Sequence, residues 1–242
     1  GGIGLAIGRH LAQDHHVTLS DYSLDTLTKT QQDLKQDGLN VAIMQLDVCN
    51  EAHLAALKAK AEDGGVDVLI NNAGIQYVAP LEDFPREKWQ QLINVMLMGP
   101  AMTSQAVLPS MKANNYGRII NIGSVHSLVA SAYKSAYISA KHGLLGLAKT
   151  LALEVAEFDI TINTLCPGYV DTAMVRDQIS QQAQAHGISE DEVVNKIMLK
   201  HMPKKQFVSV EELAGTAAFL ISPAARNITA QAIALDGGWT AQ

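Results

Sequence analysis

Three residues of this chain have the side chains and the spacing needed to move a proton at an alcohol or a carbonyl group. Ser124 follows the short apolar run Ile119–Ile122, and Tyr137 and Lys141 come later, four residues apart. A helix places residues i and i+4 on one face. A free tyrosine, with a pKa of about 10, is a poor base at neutral pH, but a nearby ammonium group stabilises its phenolate. The same spacing also occurs by chance on helix surfaces.

The surrounding chain alternates between apolar runs and amphipathic segments. The apolar runs predict strands at residues 16–20, 41–46, 66–70, 119–122, 161–165 and 232–235. Between them the pattern predicts helices over 24–37, 51–62, 86–114 with a kink near Gly99–Pro100, about 135–158, and 210–222. This alternation predicts an α/β fold, a doubly wound parallel sheet of the Rossmann-like kind with about seven strands. Residues 1–242 form one domain in this interpretation, and the polar segment 171–205 forms a helical substrate lid.

The beginning of the sequence indicates a phosphate-binding turn. Gly2, Ile3 and Gly4 precede an amphipathic stretch, as at the end of a glycine-rich turn that enters a helix. Backbone N–H groups and the helix N-terminus at such a turn bind a pyrophosphate. A strand should precede the turn, so we expect the first strand to lie upstream of the given sequence. Glycine is also common in ordinary tight turns.

The strand ends carry the other residues expected to bind a dinucleotide. Asp21 ends the first predicted strand, where a carboxylate accepts hydrogen bonds from ribose hydroxyls and repels a 2′-phosphate. No arginine follows it, which favours NAD over NADP, although an ordinary helix-capping aspartate is the alternative. The asparagine side chains of Asn71 and Asn72 can bridge neighbouring strands. The further cofactor-binding candidates are Asp47, Val48, Asn72, Ala73, Gly74, Pro167, Gly168, Val170 and Thr172.

Composition excludes several other functions. The 242 residues carry a net charge of −6 without a basic block, which argues against a nucleic-acid partner. No apolar run approaches the roughly 20 residues of a membrane span, and no metal-ligand spacing occurs. Cys49 and Cys166 are expected to be free, buried thiols in a reducing cytoplasm. The charged fraction of 17% is low, so partner subunits are expected to cover part of the surface.

Taken in order, these motifs resemble the short-chain dehydrogenase/reductase family over essentially the whole chain. The carrying motifs are G-I-G at 2–4, N-N-A-G at 71–74, Ser124, Y-x-x-x-K at 137–141 and P-G at 167–168. The resemblance implies that Ser124, Tyr137 and Lys141 are catalytic and that Tyr137 and Lys141 also contact the cofactor. It also implies a homotetramer.

Finer features resemble the bacterial D-3-hydroxybutyrate dehydrogenases. They are N-A-G-I-Q at 72–76, S-V-H-S-L-V-A-S at 124–131, K-S-A-Y at 134–137 and the terminal D-G-G-W-T-A-Q. This resemblance implies reversible, NAD-dependent oxidation of D-3-hydroxybutyrate to acetoacetate. It also implies that the substrate contacts Ser124 and Tyr137 and that Gln76, His126, Lys134 and Gln178 hold its carboxylate. A lysine with neutral donors suits a small anionic acid.

One position departs from the family pattern. The family carries an asparagine 28 residues before the catalytic serine, where it holds a water of the proton relay. This chain has Met96 there, and a thioether cannot donate a hydrogen bond. Asn94 lies two residues earlier, on a different helix face. Two alternatives stay open: an NADPH-dependent 3-ketoacyl thioester reductase of the same fold, and a catalytically dead cofactor-binding sensor or scaffold, which Met96 favours.

Overall fold

The computed structural model describes residues 2–241, except for the side chains at positions 173, 174, 181, 185 and 186. In that part of the chain, six strands alternate with helices. The strands are β1 Thr18–Asp21, β2 Ala42–Gln45, β3 Val68–Asn71, β4 Gly117–Ile122, β5 Ile160–Pro167 and β6 Ala232–Leu235. The α-helices are α1 Gly2–Leu11, α2 Leu24–Gln36, α3 Glu51–Glu62, α4 Arg86–Ile93, α5 Gly99–Ala113, α6 Ser135–Glu154, α7 Ala173–His186, α8 Glu190–Val193 and α9 Val210–Ile221.

All of the strand pairs are parallel. Four strands form one sheet in the order β3-β4-β5-β6, and β1 pairs with β2 in a second sheet. In the larger sheet Asn71 is opposite Asn121, which in turn is opposite Thr164. Parallel strands bring their carboxyl ends to one edge, where ligands of open α/β sheets bind. The residues expected to contact cofactor and substrate follow these strand ends.

Helices cover both faces of the larger sheet. Every residue of β4 is buried, so the strand is covered on both sides. Ile120 and Ile122 pack in the cluster that contains residues of α1 and α9. Ile119 faces the other way and packs with residues of α3, α5 and α6. This arrangement confirms the doubly wound sheet.

The long helix predicted over 86–114 is interrupted in its backbone hydrogen bonding. Between α4 and α5 lies a π-helical segment, Asn94–Met98, in which the N–H of Gly99 donates to the carbonyl of Asn94. The irregularity therefore precedes the kink expected near Gly99–Pro100. Pro100 lacks an N–H and cannot continue the regular i→i−4 ladder. The helix that carries Tyr137 ends at Glu154, short of Phe158.

The segment expected to form a lid is helical in its described part. After α7 and α8 come a π-helical segment, Val194–Met198, and a 3₁₀ turn, Leu199–His201. A parallel bridge between Val170 and Val208 joins the two ends of the segment. Its movement over a substrate stays a prediction.

Cys166 is buried, but Cys49 is exposed, so the expectation of two buried thiols was wrong for Cys49. Cys49 lies in the loop between β2 and α3, where its backbone N–H donates to the Asp47 carboxylate, and such a surface loop leaves its side chain in solvent. Within residues 2–241, no helix is both long enough and apolar enough to cross a bilayer.

Candidate active site

A short turn at the end of β4 holds the Ser124 hydroxyl in place. Ser124 caps the 3₁₀ turn Val125–Ser127, and its hydroxyl accepts a hydrogen bond from the backbone N–H of His126 at 3.1 Å. The Ser127 hydroxyl accepts from the backbone N–H of Ser124 at 3.2 Å. These reciprocal bonds form a capping box, which satisfies the orphan donors of the turn. The serine side chain is therefore positioned by the backbone that follows the strand.

Helix α6 brings the tyrosine and the lysine to the same place. The side chain of Ser124 interacts with Tyr137 and acts to lower the pKa of its phenol. Lys141 lies one turn further along, with its Nζ 5.7 Å from the centre of the Tyr137 ring. Its ammonium donates to the carbonyl of Ile122 at 2.7 Å. The structure thus gathers Ser124, Tyr137 and Lys141 into one cluster, and their catalytic roles stay a prediction.

Burial dominates the electrostatics of this cluster. Burial raises the pKa of Tyr137 above its ordinary value, although the interaction with Ser124 acts in the opposite direction. Burial lowers the pKa of Lys141 to about 8, and the nearby Cys166 opposes that shift. The phenolate stabilisation expected from the Tyr137–Lys141 spacing is therefore not seen in the polypeptide alone, because burial disfavours the charged form of each side chain.

His126 is enclosed by two serines. Its Nδ1 is 3.4 Å from the Ser124 hydroxyl, and its Nε2 is 2.7 Å from the hydroxyl of Ser131. The ring is 5% exposed, and burial, then the positive charge of Lys134 and His142, lowers the pKa of His126 to about 4. The imidazole is therefore neutral at pH 7. Sequence reasoning missed Ser131, although it ends the quoted S-V-H-S-L-V-A-S segment.

Lys134 lies at the N-terminal end of α6 beside this cluster. It is the N-cap residue, yet its side chain forms no capping bond. The preceding Tyr133 has a left-handed backbone, with φ of 66°, and its carbonyl accepts from the N–H of Ala79 at 3.0 Å. That bond ties the Lys134 segment to the loop after β3, which carries Gln76. Gln178 lies in α7, and the substrate contacts of both glutamines stay predictions.

Burial also distinguishes Lys134 from a surface lysine. The side chain is half-buried, and this burial lowers its pKa. Among the residues that the structure describes, no carboxylate forms an ion pair with it. A partly desolvated cation without an anionic partner favours an anionic ligand.

An aromatic cluster borders the same site and was not anticipated. The Trp239 ring stacks on His201 with centroids 5.2 Å apart and lies edge-on to His126 at 5.7 Å. Tyr169 also stacks with Trp239, with centroids 6.1 Å apart. The carboxylate of Asp236 holds the turn by accepting from the backbone N–H groups of residues 238 and 240. The terminal D-G-G-W-T-A-Q segment was the available signal. Its last residue, Gln242, lies outside the described residues.

The first turn of α1 has the close backbone packing of a phosphate-binding turn. A Cβ atom added to Gly4 would lie 2.6 Å from the Asn72 side chain, so a larger residue there would have to displace that side chain. Gly2 has a φ of +48°, and a Cβ on it would lie 3.6 Å from the Thr172 methyl group. The cofactor-binding candidates in α1, at the end of β3 and at the N-cap of α7 therefore lie close together. The helix N-terminus and the exposed glycine backbone fit a cofactor pyrophosphate.

The remaining cofactor candidates also lie at the carboxyl edge of the strands. Asp21 ends β1, and its carboxylate accepts from the N–H of Ser23 at 3.0 Å. The carboxylate of Asp47, after β2, accepts from the N–H of residue 49 at 2.9 Å. Val48 lies so close to Gly99 that a Cβ there would be 2.6 Å from its methyl group. The other candidates are Ile3 in α1, Ala73 and Gly74 after β3, Pro167 and Gly168 at the β5 end, and Val170 at the bridge to Val208. Their contacts with a cofactor stay predictions.

A buried amide pair confirms that the strands are bridged at this edge. The Asn71 side chain donates to the Asn121 side-chain oxygen at 2.9 Å. The Thr103 hydroxyl donates to the Asn71 side-chain oxygen at 2.7 Å, which connects α5 to the pair. Asn72 instead faces Gly4. The bridge predicted for the two asparagines is thus formed by the first of them.

Met96 occupies an apolar environment beside α6. It is 0% exposed and packs with Leu92, Ala136 and Ala140. The side chain of Asn94 accepts from Gln90 at 2.8 Å on the exposed surface of the helix. The two residues therefore lie on different faces, as the spacing predicts, and Asn94 does not replace the missing amide in the site.

Comparison with known proteins now defines the class of this chain. The family model described as short chain dehydrogenase matches residues 1–183. The chain therefore belongs to the short-chain dehydrogenase family. It is an oxidoreductase of a family that binds a nicotinamide cofactor.

Individual relatives and solved structures show which members of the family this chain is similar to. The D-beta-hydroxybutyrate dehydrogenase of Rhizobium meliloti (strain 1021) is 44% identical over 247 residues, covering 100% of this chain and 95% of the relative. The uncharacterized oxidoreductase YxjF of Bacillus subtilis (strain 168) is 45% identical over 245 residues, with the same coverage. Among solved structures, a variant of actinorhodin polyketide ketoreductase with NADPH superposes with a TM-score of 0.91 at 30% identity, covering 100% of this chain and 94% of that chain.

Proposed function

We propose that this protein catalyses the reversible, NAD-dependent oxidation of D-3-hydroxybutyrate to acetoacetate. The observation that carries the proposal is Lys134, a half-buried cation beside Tyr137 that no described carboxylate neutralises. A substrate carboxylate would complete this pair. The 44% identity to a protein named D-beta-hydroxybutyrate dehydrogenase supports the same substrate.

The cluster around Tyr137 supports a simple acid–base cycle. Tyr137 takes the proton of the C3 hydroxyl group, Ser124 hydrogen-bonds the reacting oxygen, and the Lys141 charge favours the phenolate. When bound, the nicotinamide cofactor supplies a hydride acceptor and a positive charge. Backbone groups of residues 2–4 and the polar side chains at the strand ends would hold that cofactor. A general base placed in this way typically contributes about 10²–10⁴-fold in rate.

The preference for NAD rests on Asp21. Its carboxylate ends β1 on the cofactor side of the sheet, and no arginine follows it in the chain. A second oxygen of this carboxylate can accept from a ribose hydroxyl, while a 2′-phosphate would be repelled.

We also propose that the protein works as a homotetramer in the cytoplasm. Exposed apolar side chains on two helices support contacts with partner subunits. Leu153 on α6 is 79% exposed, and Phe219 on α9 is 46% exposed. The low charged fraction of 17% is consistent with such contacts.

The main alternative is an NADPH-dependent 3-ketoacyl thioester reductase. The similarity to a ketoreductase structure with NADPH favours it. A thioester substrate, however, has no free carboxylate for Lys134 to bind. The sensor or scaffold alternative rests on Met96 alone, and the contact of Tyr137 with Ser124 argues for an intact acid–base site.

Steady-state turnover tests the proposal directly. Purified protein is assayed with D-3-hydroxybutyrate and its L enantiomer, each with NAD and with NADP, and with an acetoacetyl thioester and NADPH. We expect the highest kcat/KM for the D acid with NAD. Preferred turnover of the thioester with NADPH would establish the reductase instead, and cofactor binding without any turnover would establish the sensor.

A further inference from the structure

We propose that the proton released by alcohol oxidation leaves the site through a relay formed by Ser124, His126 and Ser131. This inference rests on the proposed dehydrogenase function of the same site. It gives His126 a role in proton transfer that uses both ring nitrogens, in place of the predicted contact with the substrate carboxylate. It also assigns Ser131 a function.

The relay is a continuous set of polar contacts that begins at the base. The Ser124 side chain interacts with Tyr137 closely enough to lower the pKa of the phenol. The Ser124 hydroxyl is 3.4 Å from His126 Nδ1, and His126 Nε2 is 2.7 Å from the Ser131 hydroxyl. Ser124 and His126 are buried, whereas Ser131 is half-exposed and precedes the exposed Ala132 and Tyr133. The contacts therefore lead from the site of Tyr137, through two buried residues, toward the surface.

Each group in this path can accept one proton while it donates another. After the substrate proton reaches the phenolate, the phenol passes a proton to the Ser124 oxygen, which gives its own to His126 Nδ1. The Nε2–H bond of the imidazole then breaks toward Ser131, whose hydroxyl proton goes to water. One proton has left, each group keeps its number of protons, and the phenolate is restored. Hydride transfer to the nicotinamide cofactor accounts for both electrons.

The state of His126 suits this role. Burial, together with the positive charges of Lys134 and His142, holds the pKa of the imidazole at about 4. A neutral imidazole has one acceptor and one donor nitrogen, so it can exchange tautomers as a proton passes. An imidazolium would have no acceptor nitrogen and would block the path.

The groups on the other side of Tyr137 offer a poorer exit. The ammonium of Lys141 donates to the carbonyl of Ile122, and a carbonyl has no proton of its own to pass onward. Met96 is fully buried, and its thioether is not a donor. The described side chains therefore favour the path through His126.

A Ser131→Ala variant breaks the last link of the relay. The matched control is Ser139→Ala, which removes an exposed hydroxyl from the same helix as Tyr137. Single-turnover oxidation is followed in weak buffer by stopped flow, recording cofactor reduction by absorbance and proton release with a pH indicator. In the wild type and in Ser139→Ala, proton release should coincide with cofactor reduction.

In Ser131→Ala, we expect proton release to slow by roughly tenfold or more, a modest part of the effect of a lost acid–base group. Added imidazole should restore the rate, and Ser131→Thr, which keeps the hydroxyl, should behave as the wild type. Proton release in Ser131→Ala at the wild-type rate would refute the relay. A rise in KM with an unchanged proton-release rate would also refute it, because it would limit Ser131 to positioning His126 for substrate.

This experiment distinguishes a failure of the proposed dehydrogenase function from a failure of the relay. If the wild-type protein does not reduce NAD with D-3-hydroxybutyrate, the proposed function is wrong. If it does, and Ser131→Ala matches Ser139→Ala in both signals, only the relay is wrong. Circular dichroism and thermal unfolding of each variant establish that it is folded before the comparison is made.

Discussion

Replacing Lys134 with alanine should separate acid substrates from their esters. A hydrogen bond to a charged group contributes about 1.5–3 kcal/mol, and about 1.4 kcal/mol corresponds to tenfold in an equilibrium constant. Since Lys134 is half-buried, and no described carboxylate pairs with it, a substrate carboxylate should obtain most of this energy. We expect Lys134→Ala to lower kcat/KM for D-3-hydroxybutyrate by roughly ten- to a hundredfold.

The assay compares the acid with its methyl ester in each variant. The ester has no carboxylate, so Lys134→Ala should change its kcat/KM far less. Lys149→Ala, an exposed lysine on the same helix, is the matched control and should leave both substrates unaffected. Equal losses on acid and ester would show that Lys134 is structural, and the small-acid assignment would lose its main support.

The pH dependence gives an independent readout of the same interaction. Burial lowers the pKa of Lys134, so its charge is lost earlier on the alkaline side than that of a free lysine. The ratio of kcat/KM for acid to ester should therefore fall as pH rises. In Lys134→Ala this ratio should no longer change with pH over the same range, whereas titration of Tyr137 or Lys141 affects both substrates alike.

Three further substitutions test other parts of the site. Tyr137→Phe should lower kcat by about 10²–10⁴-fold while NADH binding, measured by fluorescence titration, stays close to that of the wild type; near-normal turnover would exclude Tyr137 as the base. Asp21→Ala should raise the KM for NAD and narrow the gap to NADP, whereas Asp25→Ala, an exposed acid in α2, should do neither; a wild type that already uses NADP equally well would contradict the role of Asp21. Met96→Asn should leave turnover within roughly tenfold, about 1.4 kcal/mol in the barrier, but lower the melting temperature, because it places an amide among apolar side chains at a cost of about 1–3 kcal/mol; a large gain in turnover would favour the sensor interpretation.

The sequence was sufficient for the features that depend on local patterns. Apolar runs and their alternation with helices predicted the doubly wound sheet, and the i,i+4 spacing placed Tyr137 and Lys141 on one face. The strand-end residues converge because parallel strands share an edge. The side-chain bridge between Asn71 and Asn121 follows from the same geometry, since the two residues are in register.

Features that depend on long-range packing could not be predicted in this way. The raised pKa of Tyr137 follows from its burial, which no local pattern reports. The contact of Trp239 with His201 and His126 joins residues far apart in the sequence. The role proposed for Ser131 depends on the contact of its hydroxyl with His126 Nε2, which only the folded structure shows.

The π-helical segment at 94–98 constrains how this chain can change in length. Helix α4, before it, packs on α6, whereas α5, after it, packs on α3. Each residue of an α-helix turns the chain by about 100°, so one residue more or fewer within α4 or α5 would rotate part of that helix away from its partner. The i→i+5 turn of the π-helical segment, in contrast, can lose one residue by becoming a regular i→i+4 turn. We therefore expect a one-residue deletion in this segment to damage the protein less than a one-residue deletion in the middle of α4 or α5.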